Sequence, residues 1–286
     1  MWTSRNLVDQ TGRIVVITGA SSGIGLAAAN TLIDKGAIVI AAVRNKEKAR
    51  SVLNSKAQIY HLDLSDLRSV QSFAKDFSEK IDVLVNNAGV MAIPLARTSE
   101  GFEMQMGTNH FGHFALTGLL LSNIYDRVVT VSSTAHKMGR IHFNDINWEK
   151  KYRPWAAYGQ SKLANLLFTS ELDRRLKQSG SKVRAIAVHP GYSDTALQAK
   201  SEKKIQDIVM NFANKYFAQS EEQGSLPTLY AVSQDIPGNS FVGPDGFGEM
   251  KGYPKLVGRT KAAQNMDDAK KLWEISEKLT GVKYNF

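Results

Sequence analysis

Short runs of β-branched and aliphatic residues recur along this chain with helix-like segments between them, and few folds accommodate that alternation. The runs at 13–18 (RIVVIT), 37–43 (AIVIAAV), 57–62 (AQIYHL), 81–86 (IDVLVN), 126–132 (DRVVTVS) and 182–188 (KVRAIAV) predict strands, with a shorter one at 240–243 (SFVG). Their continuous apolar character suits strands covered on both faces, as in a parallel sheet. Helix-like segments fall at 23–35, 45–54, 66–79, 100–122 and 155–179, and a last one at about 267–280. Such alternation requires right-handed crossovers. The expected fold is therefore α/β, a doubly wound parallel sheet of about seven strands with helices on both faces. No Pro- or Ser-rich linker interrupts the pattern, so 1–286 reads as one domain with a C-terminal extension from about 236. Residues 236–258, rich in Gly and Pro, predict irregular structure. The segment 195–220 carries Leu197, Ile205, Ile208, Val209, Phe212 and Tyr216 at mostly helical spacing. It predicts either a lid over a substrate or a helix packed on the body.

Between the first strand and its helix lies Thr18-Gly19-Ala20-Ser21-Ser22-Gly23-Ile24-Gly25. Glycines there permit a tight turn and let a pyrophosphate approach the helix N-terminus, where unpaired N–H groups and the dipole favour anions. A strand–loop–helix placement at the first crossover marks a dinucleotide-binding sheet of the Rossmann type. Ligands of such sheets bind beyond the carboxyl ends of the strands, and the other conspicuous groups fall there. Arg44 follows the second strand, Asp63 the third and Asn86-Asn87-Ala88-Gly89 the fourth. Ser132-Ser133 ends the fifth, and His189-Pro190-Gly191 follows the sixth. Tyr158 and Lys162, four apart in a predicted helix, share one face. A free tyrosine titrates near about 10, and a nearby ammonium is expected to draw it toward a working acid–base range.

Composition narrows the function classes. Hydrophobic residues make up 43% of the 286 and charged residues 22%, enough to bury a core. The absence of cysteine excludes disulfides, thiolate metal sites, iron–sulfur clusters and a cysteine nucleophile. The longest strongly apolar run, Ala37 to Val43, is far short of the roughly 20 residues a membrane helix needs. The opening MWTSRNLVDQTGR has no apolar core of a signal peptide, so no membrane anchor is expected and a cytoplasmic location fits. The formal charge is +9, from 36 Lys and Arg against 27 Asp and Glu. Its basic residues form only loose groups such as Lys150, Lys151 and Arg153, with no RNA-binding motif beside them. A solvated surface with affinity for a small phosphorylated ligand is expected, and no nucleic-acid partner. His110 and His113 lie three apart but no HExxH pattern occurs, so no metal site is expected.

Taken together, these motifs resemble the short-chain dehydrogenase/reductase superfamily in its single-domain form. The resemblance rests on TGASSGIG at 18–25, Asp63 in HLDLSD, NNAG at 86–89 and Asn109 in TNHFGHF. It continues through VSS at 131–133, YGQSK at 158–162 and PGYSDT at 190–195. The stretches 101–121, 131–143 and 156–172 look most like the retinol-dehydrogenase and WW-domain-oxidoreductase-like branch.

The resemblance implies roles by position. Tyr158 would exchange a proton with the substrate oxygen, and Lys162 would lower its pKa and bind the nicotinamide ribose. Ser133 would hydrogen-bond the substrate carbonyl, with adjacent Ser132 as the fallback. Asn109 would order a water in a relay to Lys162. Gly19, Ser21, Ser22, Gly23, Ile24 and Gly25 would cradle the pyrophosphate. Asp63 would meet the adenine, Asn87 the adenosine ribose and Thr195 the nicotinamide carboxamide, with Leu64, Ala88, Gly89, Pro190 and Gly191 also binding the cofactor. NADP(H) is expected in preference to NAD(H). The end of the second strand reads Ala42-Val43-Arg44-Asn45 and offers no carboxylate to a 2′-hydroxyl, whereas Arg44 can grip a 2′-phosphate. The implied activity is hydride transfer between nicotinamide and a small, apolar carbonyl or alcohol. The competing reading is a catalytically silent NADP-binding sensor, although such relatives lose the tyrosine or lysine. Met91, Met138, Trp155 and Tyr192 flank the motifs and either line an apolar pocket or pack locally. Members of the family commonly pair the helices expected at 100–122 and 155–179. The apolar excess of Leu163, Leu166, Leu167 and Phe168 slightly favours such a homodimer or homotetramer, while the branch it resembles includes monomers.

Overall fold

A computed structural model describes residues 1–191 and 220–286. Eight strands form one sheet in the order β3-β2-β1-β4-β5-β6-β7-β8. They are β1 (Ile14–Thr18), β2 (Ile38–Val43), β3 (Gln58–His61), β4 (Ile81–Asn86), β5 (Ile124–Val131), β6 (Arg184–Val188), β7 (Phe241–Pro244) and β8 (Pro254–Leu256). The first seven run parallel and β8 is antiparallel to β7. The order reverses between β1 and β4, which opens a crevice at their carboxyl ends, the usual ligand site of such a sheet.

Strand residues alternate between two cores. Val15, Ile17, Val83, Val85, Val129 and Val131 pack on one face, and Val16, Leu84 and Val128 on the other. This explains the continuous apolar runs of the central strands, which are covered on both sides, whereas the edge strands β3 and β8 are partly exposed. Helices α1 (Gly23–Asp34) and α2 (Lys46–Val52) follow β1 and β2, and α3 (Leu67–Asp76) follows β3. The long α6 (Pro154–Gln178) opens with proline in its first turn, where the missing N–H costs nothing.

The expected helix at 100–122 is broken into three. A single turn α4 (Met104–Met106) leads into a π-helical turn (Gly107–Phe111) and then α5 (Gly112–Leu120). The Gly112 N–H returns to the Gly107 carbonyl, five residues back. Two elements depart from the expectation for the C-terminal half. Helix α7 (Glu221–Ser233) covers the sheet beside α1, and strand β8 lies inside the stretch expected to be irregular. The sheet therefore has eight strands where about seven were expected. Helix α8 (Met266–Thr280) lies where predicted, capped by Asn265 at its start and by left-handed Gly281 at its end. The expected lid at 195–220 lies outside the described residues except for Ser220, as do Tyr192 and Thr195.

The face of α5 and α6 expected to meet another subunit is covered by the chain itself. Helix α8 packs on both, and Phe114, Phe168, Trp273 and Tyr284 interlock at ring distances of 4.5 to 5.9 Å. Tyr284 donates to the Phe114 carbonyl, and His110 Nε2 meets the Ser276 hydroxyl at 2.9 Å. His110 is thus tied to a helix hydroxyl, and burial pushes its pKa down to about 3.

Candidate active site

The glycine loop is shaped by close approach. Gly19 sits at φ +70°, and a Cβ on it would come within 2.9 Å of the Ala88 backbone. A Cβ on Gly25 would stand 2.3 Å from Asn87 Nδ2. Ala88 and Asn87 belong to β4's loop, so these glycines let the β1 and β4 ends close on each other. Ser22 is the N-cap of α1 but makes no side-chain cap, and the first turn has no acidic residue. Those N–H groups are left for an anion. The chain therefore fits a dinucleotide pyrophosphate here, with half-buried Ser21, Ser22 and Ile24 at the rim and buried Gly23 and Gly25 beneath.

Thr18, unassigned in the sequence reading, anchors the crevice. Its hydroxyl accepts the N–H groups of Asn87 and Ala88, each at 2.9 Å, and lies 2.8 Å from His113 Nε2. The other His113 nitrogen donates to the Asn109 carbonyl at 3.0 Å, so Nε2 must be the acceptor and Thr18 the donor. Burial lowers the His113 pKa to about 4, which keeps that tautomer neutral. His113 drew attention only as a metal-ligand candidate. Its spacing from Asn109, one helical turn, was the available signal.

Asn109 sits in the π-helical turn and is fully buried. Its Oδ1 accepts the Val90 N–H at 2.8 Å, while Nδ2 donates to the Val90 carbonyl and to the Ser161 hydroxyl, both at 2.9 Å. The amide therefore clamps the loop after β4. Gly89 passes between Asn109 and Lys162, since a Cβ there would lie 3.0 Å from Asn109 Oδ1 and 3.5 Å from Lys162 Nζ.

Ser133, Tyr158 and Lys162 come together at the end of β5. Ser133 starts a 3-10 turn (Thr134–Met138), which folds the following loop back toward α6. The neighbouring serines separate cleanly. Ser132 is buried and donates to the Lys162 carbonyl at 2.7 Å, whereas Ser133 is half-buried, accepts the Ala135 N–H at 3.1 Å and lies near enough to Tyr158 for its hydroxyl to oppose the rise of the phenol's pKa. Lys162 Nζ donates to the Val131 carbonyl at 3.1 Å and stands 5.7 Å from the Tyr158 ring centre. Burial lowers the lysine to about 8. The tyrosine departs from expectation. Burial pushes its phenol up to about 12, against the opposing effect of the Ser133 hydroxyl. Removing the phenolate from water outweighs the lysine's field here, so Tyr158 holds its proton at neutral pH.

The remaining sites line the same edge. Arg44 is exposed at the end of β2 and forms no ion pair among the described residues. Asp63 commits Oδ1 to the N–H and hydroxyl of Ser65. Leu64 is buried, with its carbonyl pressed against Gly112. Asn87 Nδ2 donates to the Thr18 carbonyl at 2.7 Å. Gly191 follows Pro190 with φ +76°, and its N–H donates to His189. Trp155 meets the Tyr158 ring edge-on at 6.2 Å, and both Trp155 and Met138 expose about half their surface or more.

The model of the short chain dehydrogenase family matches residues 13–206. This chain belongs to that family. Human retinol dehydrogenase 11 is 38% identical over 290 residues, spanning 96% of this chain and 88% of that protein. Human retinol dehydrogenase 13 is also 38% identical, spanning 95% and 86%. The chain therefore sits close to the retinol dehydrogenase branch. A crystal structure of a Mycobacterium paratuberculosis protein is 48% identical with a TM-score of 0.88, covering 100% of this chain and 99% of that one. A short chain dehydrogenase from Burkholderia cenocepacia in complex with NADP shares the fold at a TM-score of 0.65 and 20% identity, covering 82% of this chain and 96% of that one.

Proposed function

We propose that the whole chain acts as one NADP(H)-binding domain that reduces a carbonyl group of a small apolar substrate, or oxidises the corresponding alcohol, with Tyr158 as the acid–base group. The observation that carries this reading is the convergence of Ser133, Tyr158 and Lys162 beside the uncapped N-terminus of α1. When bound, the nicotinamide supplies or takes the hydride. The protein's work is orientation and charge. The Ser133 hydroxyl fixes the substrate oxygen, and the protonated Tyr158 Oη gives that oxygen its proton in reduction. The Lys162 ammonium then faces the phenolate left behind. Trp155 presents apolar surface edge-on to the tyrosine ring, which favours an apolar substrate.

The preference for NADP(H) rests on Arg44 and on the absence of a carboxylate at the end of β2. Charge-assisted hydrogen bonds net about 1.5–3 kcal/mol, so Arg44→Ala should weaken NADPH about ten- to a hundredfold while NADH changes much less. Dissociation constants for both cofactors check this; an equal loss for the two contradicts it. The activity itself is tested by loss of nicotinamide absorbance with a panel of aldehydes and ketones. Turnover supports the reading, and tight NADPH binding without turnover of any compound would favour a sensor.

A further inference from the structure

Three buried polar atoms behind Ser133 make no well-aligned hydrogen bond among the described residues: His136 Nε2, His189 Nε2 and Glu249 Oε2, the last two lying within ion-pair distance of each other and Glu249 Oε2 also of Lys137. They come from three separate places in the chain. His136 lies in the 3-10 turn that Ser133 caps, and its Nδ1 stands 2.7 Å from the Ser133 carbonyl. His189 follows β6, and its Nδ1 stands 3.2 Å from the Gly191 N–H. Glu249 lies in the loop between β7 and β8, at φ +59° directly after Gly248 at φ +63°. A non-glycine residue in that left-handed region costs about 1 kcal/mol or more, and such strain persists where the surroundings need the side chain placed.

Backbone partners fix both tautomers. A carbonyl can only accept, so His136 carries its proton on Nδ1 and leaves Nε2 as an acceptor. An N–H can only donate, so His189 keeps Nδ1 bare and carries its proton on Nε2. Both rings are fully buried, and Glu249 Oε2 is 3.1 Å from His189 Nε2 and 3.4 Å from Lys137 Nζ. His136 lies near enough to both His189 and Glu249 for their fields to act on one another. One donor and two acceptors form the set that a single water satisfies, accepting from His189 Nε2 and donating to His136 Nε2 and Glu249 Oε2; a direct His189–Glu249 contact alone would leave His136 Nε2 bare.

We propose that Glu249 is a positioning residue: its carboxylate, with one water that donates to it and to His136 and accepts from His189, joins the two rings into a buried polar bridge that holds the Ser133 backbone and the Pro190-Gly191 turn in register. The C-terminal extension thereby completes the active site from behind. The bridge rests on the reading of Ser133 given above for its effect on turnover, but its geometry does not.

The test has a spectroscopic and a kinetic arm. With only six histidines in the chain, imidazole 15N resonances can be assigned. The wild type should show His136 protonated at Nδ1 and His189 at Nε2, and Glu249→Ala should shift both rings. In kinetics, Glu249→Ala should lower kcat at least about tenfold with NADPH affinity within about threefold, the signature of misplacement of a reacting group. Glu249→Gln keeps an oxygen acceptor in the same shape and should restore most of the loss. Either tautomer reversed in the wild type, or unchanged rings and kcat in Glu249→Ala, would overturn the bridge. So would an alanine variant whose melting temperature, cofactor binding and kcat fall together without rescue by glutamine. A wild type that turned over no carbonyl would count against the reductase reading instead, and the ring resonances would still decide the bridge.

Discussion

Burial sets the chemistry of Tyr158 and Lys162 in opposite directions. The phenol rises to about 12 and the ammonium falls to about 8. The pair therefore starts as neutral phenol beside a cation at pH 7, suited to proton donation. Above about pH 8 the lysine loses its charge and no longer favours the phenolate formed when Tyr158 gives up its proton. Carbonyl reduction should accordingly fall along a basic limb with an apparent pKa near 8 in kcat/KM, which reports the free enzyme. Alcohol oxidation, which needs the phenolate at the outset, should instead rise with pH. Paired pH profiles in the two directions check this, and reduction that increased through pH 8 would contradict it. The residue types at 133, 158 and 162 were legible in the sequence because chemistry of this kind needs a hydroxyl, a phenol and an ammonium in a fixed pattern. Their ionisation was not, since desolvation depends on what packs around them.

At the scale of elements, the central strands were legible because their runs are apolar on both faces. Helix α7 was not, because Gly224, Ser225 and Pro227 read as breakers. Ser225 and Pro227 are buried, and Ser220 followed by Glu221 and Glu222 was the start signal available. Strand β8 was hidden in Gly- and Pro-rich sequence. Its hairpin loop closes through Asp245, which accepts the Tyr253 N–H and returns its own N–H to the Tyr253 carbonyl. Proline at the first position of this edge strand removes no ladder bond that the sheet requires. The π-helical turn was equally invisible, since periodicity does not register one extra residue. It matters because it sets Asn109 against Val90 and hands the Asn109 carbonyl to His113. Thr18 then ties β1, the β4 loop and α5 together. Thr18→Val would strand the Ala88 N–H and a ring acceptor, while the Asn87 N–H keeps the Val85 carbonyl at 3.0 Å. Each stranded group costs about 1–3 kcal/mol if unsatisfied. We expect a loss of at least about 2 kcal/mol in chemical denaturation, with weakened cofactor binding. A change within about 0.5 kcal/mol, the range of an inert surface site, would contradict this.

Across the whole molecule, one face of the sheet is closed by α1, α2 and α7 and the other by α3, α5, α6 and α8. The sequence could show that α6 is more apolar than one buried face needs, but not what covers it. The chain's own C-terminus does so, with Trp273 only 2% exposed among Phe114, Phe168 and Tyr284. Light scattering after gel filtration should therefore give one chain's mass, 31.5 kDa. Trp273→Ala should cost about 3–5 kcal/mol, the range for emptying a large aromatic site in a core. A stable dimer with Trp273 insensitive to substitution would contradict the self-covered face.

All three scales serve the placing of a protonated phenol at the carboxyl edge of the sheet, beside the glycine loop. The most direct measurement is single-turnover NADPH oxidation by wild type and Tyr158→Phe on the same carbonyl substrate, with cofactor dissociation constants measured alongside. Removing only the phenolic oxygen should leave NADPH affinity within about threefold, while the rate falls at least about a hundredfold, since acid catalysis contributes about 10²–10⁴. A Tyr158→Phe variant that bound NADPH normally and kept near wild-type turnover would contradict the account.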